Sequence, residues 1–317
     1  METRKLIGFG RNSFVISLPK DWVLRNKLKK GDELFVTMAG DNISLSPNNL
    51  ITPTKPREVA INVDGKGMDL IETEIVWAYL TNYDIITVRS EEKFDRKKLN
   101  RVKEILQNLA GLEIMEETNN KVTARDLINI SQISVEKTIR RVDILVRGML
   151  EDSLKSCKED HYDSIFDRDA DVNRLTFLAY RIMRGAIINP AMARDLNLTF
   201  LDIMMYWHIL MRLEKIGDQA KRIARFTRQS VMSEHMCTSI ETIYHTIIKD
   251  YEEVMKVYYT KKQEDAFKMA TAYKEEVAAL NKLLDDSPDP STVNILENLK
   301  SMTSSIKHIA RSVIGCG

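Results

Sequence analysis

The chain has 317 residues, 44% hydrophobic and 29% charged, with a formal net charge of +1. That length calls for two or three domains, and the composition suits soluble globular domains with ample core. Three widely spaced cysteines, Cys157, Cys237 and Cys316, in no C-x-x-C arrangement exclude a disulfide framework or a zinc ribbon and fit a reducing compartment. A charged start at Met1 to Lys5 is unlike a signal peptide. No uninterrupted apolar run reaches the ~18 residues of a spanning helix. The expectation is a cytoplasmic protein without a transmembrane segment.

Charge is unevenly spread. Residues 1–31 carry Arg4, Lys5, Arg11, Lys20, Arg25, Lys27, Lys29 and Lys30 against Glu2 and Asp21, so the remainder is acidic overall. A basic head on an acidic body is expected where one end meets a polyanion. The head, residues 1–49, alternates in the β manner around Leu6-Ile7-Gly8 and Ser13 to Pro19. A short helical signal follows, then Leu34 to Met38 and Ile43 to Leu45 around an Ala39-Gly40-Asp41-Asn42 hairpin. Residues 46–56 hold three prolines and read as an extended linker.

Residues 57–128 alternate strand and helix signals: Val59 to Val63, Met68 to Leu80, Asp84 to Val88, Lys97 to Leu109, then strands at Leu112 and Lys121. This predicts a small α/β domain of no readable role. Its Asp64-Gly65-Lys66-Gly67 turn lacks the first glycine and the Lys-Ser/Thr ending of a P-loop.

From residue 131 to the end the apolar period is 3.6. Helices are predicted through Ile139 to Met149, Val172 to Ile187, Leu201 to Ile223, Ile240 to Tyr258, Ala266 to Leu284 and Val293 to Ile314, with breaks at Asn189-Pro190 and Ser287 to Pro290. Ile223-Ala224-Arg225 ending the third helix echoes Ile309-Ala310-Arg311 ending the sixth, which suggests a duplicated three-helix unit.

A head of under fifty residues with short strands buries too little apolar surface to stand alone, and without cysteines it is expected to dimerise. Dimerisation doubles the cationic surface and suits a duplex with paired half-sites. The run from Arg4-Lys5-Leu6-Ile7-Gly8-Phe9-Gly10-Arg11 through Leu18-Pro19-Lys20-Asp21-Trp22, with Leu28-Lys29-Lys30-Gly31-Asp32, resembles the SpoVT/AbrB (MazE-like) swapped-hairpin family over residues 1–47. The resemblance implies an interlaced homodimer that contacts DNA, with Arg4, Lys5, Arg11, Lys20 and Arg25 as the DNA-binding residues. Some members of that family act as antitoxins or as dimerisation modules only.

In the helical body, Asp167 and Asp171, and Glu214 and Asp218, stand four residues apart. Each pair therefore lies on one helix face, roughly 5–6 Å apart at Cβ. Two such helices packed together would gather four carboxylates, and oxygen-only ligands favour hard cations such as Mg, Ca, Mn or Fe(III). Charged pairs on solvated helix faces are the plainer alternative, with Arg168 and Lys215 neutralising them locally. Leu213-Glu214-Lys215-Ile216-Gly217-Asp218-Gln219-Ala220-Lys221-Arg222-Ile223-Ala224 resembles the E-R-I-G-D-H-A-x-N-I-A signature of the PhoU family, and Asp167-x-x-x-Asp171 resembles its companion motif. The resemblance spans residues 131–314. It implies a pair of three-helix bundles that hold a multinuclear metal through Asp167, Asp171, Glu214 and Asp218, iron favoured, with Mg, Mn, Ca or Zn as alternatives. It also implies a role in repressing phosphate uptake, with a phosphate transporter ATPase or a signalling protein as partner. The second half departs from the pattern: Lys300 and Ser304 stand where Glu214 and Asp218 stand, and Ala272 stands for Asp167. One metal site, in the first half, is the expectation.

The fold class expected is therefore multidomain and mainly α: a swapped-hairpin β domain (1–49), an α/β domain (57–128) and a PhoU-like pair of three-helix bundles (131–317). The leading function is a dimeric DNA-binding transcriptional regulator of phosphate uptake. The alternative is a PhoU-like modulator of the transporter or of a kinase, whose head only dimerises. No catalytic residue is expected. None of the five histidines has Asp or Glu three residues before it, as a di-iron Glu-x-x-His site requires, and no H-E-x-x-H or nucleophile elbow is present.

Overall fold

The structure is a computed structural model that describes residues 3–11, 13–39, 42–47, 56–271, 274–285 and 289–315. The chain divides into two compact units, residues 1–55 and 56–317.

In the first unit, β1 (Ile7–Phe9) and β2 (Ser13–Val15) form a hairpin that pairs Ile7 with Val15, leaving Arg11 in the turn. Gly10 there has φ +72, a left-handed conformation that glycine adopts without steric cost. A one-and-a-half-turn helix, α1 (Lys20–Arg25), follows Pro19. A second hairpin joins β3 (Leu34–Ala39) to β4 (Asn42–Pro47), and the two central residues of its predicted turn lie outside the described residues. No residue of this unit with a described side chain is buried. Phe9, Phe14, Met38 and Ile43 are all exposed, Phe14 at 71% and Met38 at 79%. A lone two-stranded sheet is at best marginal in water, so these side chains point to a missing covering surface.

The second unit begins with a four-stranded sheet in the order β5-β6-β8-β7: β5 (Glu58–Asn62), β6 (Ile85–Arg89), β7 (Leu112–Glu117) and β8 (Lys121–Asp126). β5 and β6 are parallel, joined by α2 (Met68–Leu80); α3 (Arg96–Gln107) leads on to the antiparallel pair. Ile61, Val63, Ile71, Ile75, Ile86, Val88, Val102 and Leu106 form its core. Gly111 (φ +87) is obligatory, since a Cβ there would meet Ile128 at 2.5 Å. The polar groups of the Asp64–Gly67 turn are used internally. Asp64 accepts from Ser90 Oγ and, at 2.9 Å, from Glu91 N, while Lys66 pairs with Glu74 at 2.7 Å.

The helices start where the sequence supplies caps. Ser134 caps α4 (Val135–Lys155), which is followed by α5 (Tyr162–Ile188). Asn189 caps the short α6 (Pro190–Asp195), with proline at its first position, and a Thr199/Asp202 capping box opens α7 (Phe200–Gln229). Ser233 caps α8 (Glu234–Thr260). The predicted fifth helix corresponds to α9 (Gln263–Thr271) and α10 (Lys274–Asp285), and Asp289 caps α11 (Pro290–Ile314). α4, α5 and α7 pack on one another, α11 packs on α8, α9 and α10, and α7 against α11 is the seam between the two sets. One continuous apolar core runs through both. The fold is mainly helical, with a PhoU-like bundle region as the sequence resemblance implied. Among the described residues no helix is long and apolar enough to cross a membrane.

Arg181 on α5 joins the sheet to the bundle. Only 2% exposed, it bonds Asn82 Oδ1 at 2.8 Å, pairs with Asp126 and lies 4.7 Å from the centroid of the Tyr79 ring. The sheet domain and the helical region thus have separate cores within one compact unit.

Candidate functional site

The cations of the N-terminal unit lie at the ends of its short elements. Arg4 and Lys5 precede β1, Arg11 is in the β1–β2 turn, and Lys20 and Arg25 begin and end α1. All five are exposed. Side chains so placed can reach phosphate oxygens, which supply most of the affinity of a DNA-binding protein.

The carboxylates of the helical unit are arranged differently from their spacing in sequence. The face of α5 that packs inward runs through Ile165, Asp169, Val172 and Leu175. Asp167 and Asp171 stand two residues either side of Asp169, about 200° round the helix, and are exposed. Asp169, 7% exposed, is the carboxylate that faces α7. There the Lys221 ammonium bridges Asp169 at 2.6 Å and Asp218 at 3.1 Å, Arg222 holds Asp218 at 2.7 Å, and Asn173 Nδ2 donates to Asp169 at 3.4 Å. Glu214, one turn before Asp218, is half-buried. Burial, then the neighbouring Asp218 and Asp169 charges, raise its carboxyl above the usual range. Glu214 and Asp218 are thus brought together with Asp169, while Asp167 and Asp171 are not. The inward stripe of α5, extended back from Val172 by three residues, would have identified Asp169.

These residues do not fit a multinuclear metal. The position between Asp169 and Asp218 is held by an ammonium, and Asp218 has its second oxygen on a guanidinium. Among the described residues, no group of three or more His, Cys, Asp or Glu side chains is arranged to hold a metal ion.

Two further polar clusters were not evident from the sequence. Asp143 on α4 accepts from Tyr251 at 2.7 Å and Tyr259 at 2.8 Å, both on α8, and pairs with Arg147 at 2.9 Å. This fully paired carboxylate ties the first helical set to the second. In the second set, Asp250 on α8 is pushed up to about 6 by burial and by the charges of Glu276 and Glu253. One oxygen of Glu276 on α10 is buried without a hydrogen-bond partner among the described residues. Lys300 pairs with Glu297 at 2.9 Å, and Ser304 is exposed. Ala272 lies outside the described residues. The first set therefore neutralises its carboxylates with Lys221 and Arg222, whereas Asp250 and Glu276 repel each other.

Comparison with known proteins matches residues 139–227 to the PhoU domain. Residues 9–54 match the antidote-toxin recognition family MazE, a bacterial antitoxin. No curated protein matches the chain. Among solved structures, the crystal structure of PhoU from Pseudomonas aeruginosa is similar at 17% identity, over 57% of this chain and 91% of that one, with a TM-score of 0.43.

Proposed function

We propose, from the pairing of a PhoU domain (139–227) with a MazE-type domain (9–54), that this chain is a DNA-binding regulator of phosphate uptake. The observation that carries the reading is the N-terminal unit. Its described cations are all exposed, and so are many of its large apolar side chains, Leu6, Ile7, Phe9, Phe14, Met38 and Ile43 among them.

Apolar side chains of this size each contribute about 1.5–3 kcal/mol when buried, so a unit that leaves them in water is incomplete. A second copy of the same unit is the partner that would cover them, as the MazE-type match supports. Two copies would set Lys5, Arg11, Lys20 and Arg25 around a two-fold axis, and a two-fold protein reads paired half-sites. The helical unit is the regulatory body, through which phosphate status acts via a transporter ATPase or a signalling kinase. Asp169 and Asp218 are held by Lys221 and Arg222, and the regulatory role is assigned without a metal.

The test is selection of duplexes from a random-sequence library by the full chain, followed by anisotropy titration of the selected duplex against a scrambled one. Tighter binding of the selected duplex, weakened by salt, is expected. Equal binding of both would leave the head as a dimerisation module and the chain as a protein modulator of the transporter or kinase.

A further inference from the structure

Cys157 and Cys237 are 80 residues apart in sequence, and the fold brings them together. Cys157 lies in the turn between α4 and α5, and Cys237 lies in the first turn of α8. The adjoining residues hold these segments in register. Lys158 Nζ pairs with Glu241 Oε2 at 2.9 Å, and Glu241 is one helical turn beyond Cys237 on the same face of α8. At the same end of the bundle Asp160 bonds Arg228 Nε at 2.6 Å, which anchors the α4–α5 turn to the end of α7. The two sulfurs are close enough for a thiol–thiol hydrogen bond, and both residues are free and half-buried, reachable by a small oxidant.

We infer that Cys157 and Cys237 form a reversible dithiol–disulfide site whose substrate is a hydroperoxide and whose oxidised form staples the first helical set to the second. Burial, together with the hydrogen bond to Cys237, pushes the Cys157 thiol up to about 12, so Cys157 keeps its proton while its neighbour reacts. Cys237, in the first turn of α8, is therefore the thiol that reacts first. Its sulfur attacks one peroxide oxygen. The O–O bond breaks, a sulfenic acid forms, and the other oxygen leaves as an alcohol or water after taking up a proton. The Cys157 sulfur then attacks the sulfenic sulfur; the S–O bond breaks, water leaves with the Cys157 proton, and the S–S bond closes. Two thiols are oxidised and one hydroperoxide is reduced. In a reducing compartment dithiol exchange reverses the bond, so the site is transient and regulatory.

The consequence is mechanical. A disulfide here would hold the α8 start, now paired to it through Lys158 and Glu241, to the turn that follows α4. Opening between the two helical sets at this end would be suppressed.

The test uses the full chain carrying Cys316→Ser, treated with hydrogen peroxide and mapped by peptide mass spectrometry. The expected result is joint loss of both thiols to label, a Cys157–Cys237 cross-linked peptide lighter by two hydrogens, and full return of label with dithiothreitol. Hydrogen exchange across residues 234–245 should slow in the oxidised form. Replacing either cysteine should abolish the cross-link: Cys157→Ser should leave Cys237 to gain oxygen, and Cys237→Ser should leave Cys157 largely unoxidised. The inference is overturned if wild-type Cys157 and Cys237 accumulate oxygen independently, or if the cross-link joins two chains. Because the first measurement is made with both cysteines intact, a variant that fails to fold cannot decide it.

Discussion

The two units of this chain solve the burial problem in opposite ways. Residues 56–317 hold a sheet core and a continuous helical core of fully buried Ile, Leu, Val, Met and Tyr side chains, and the buried residues Arg181, Asp143 and Asp169 are each paired with an opposite charge. Among the residues of 1–55 with described side chains none is buried, and Phe9, Phe14, Phe35, Val36 and Ile43 are exposed. The larger unit closes on its own cores, and the smaller one leaves its apolar side chains at the surface.

The largest effect is expected from a substitution that attacks the exposed apolar surface. Phe14→Glu should abolish dimerisation of the full chain, read as a halving of mass in sedimentation equilibrium, while the helical unit keeps its thermal transition. Retention of the dimer would mean that the second copy docks elsewhere. Next, Lys221→Met should destabilise the helical unit by about 2–3 kcal/mol in urea, because removing one partner of a buried pair strands the other. The value is set below the range for fully buried pairs, since the Lys221 side chain is 22% exposed. An unchanged midpoint would show that water solvates Asp169.

Asp250→Asn should act in the opposite direction. The raised carboxyl favours the protonated form in the folded chain. The stability it contributes is therefore complete below about pH 4 and lost as pH rises through about 6. At neutral pH the variant should be more stable by about 1 kcal/mol, after discounting for the half-exposed position. The gain should vanish near pH 4, and a gain that is flat with pH would assign it to something other than the Asp250–Glu276 repulsion. The smallest effect is expected for Asp167→Ala with Asp171→Ala, within about 0.5 kcal/mol of the parent, as for exposed helix positions. A loss as large as that of Lys221→Met would return these two residues to the buried cluster.

What the sequence made legible was local. The breaks at Asn189-Pro190 and at Ser287 to Pro290 were readable, and Asn189 and Asp289 cap α6 and α11 there, through chemistry that depends on a few neighbouring residues. The carboxylate site was readable on α7, where Glu214 and Asp218 share a face, but less so on α5. Phe166 to Asp171 offers three aspartates, and the four-residue spacing selects 167 and 171, while packing selects Asp169 through its place in the Ile165–Val172 stripe. Lys221 as the bridging cation, Asp250 facing Glu276, Asp143 under two tyrosines and Cys157 beside Cys237 all depend on which helices become neighbours. No spacing rule within one segment carries that information.

The central claim is that the head reads DNA through a symmetric pair of cationic surfaces. It is tested most directly by the salt dependence of binding, with the selected duplex titrated by wild type and by Arg11→Ala across a range of salt concentrations. Removing one phosphate-binding guanidinium from each of two copies should lower the slope of log affinity against log salt by about two and weaken binding evenly across sequences. An unchanged slope, or a wild-type chain whose binding is insensitive to salt, would contradict it.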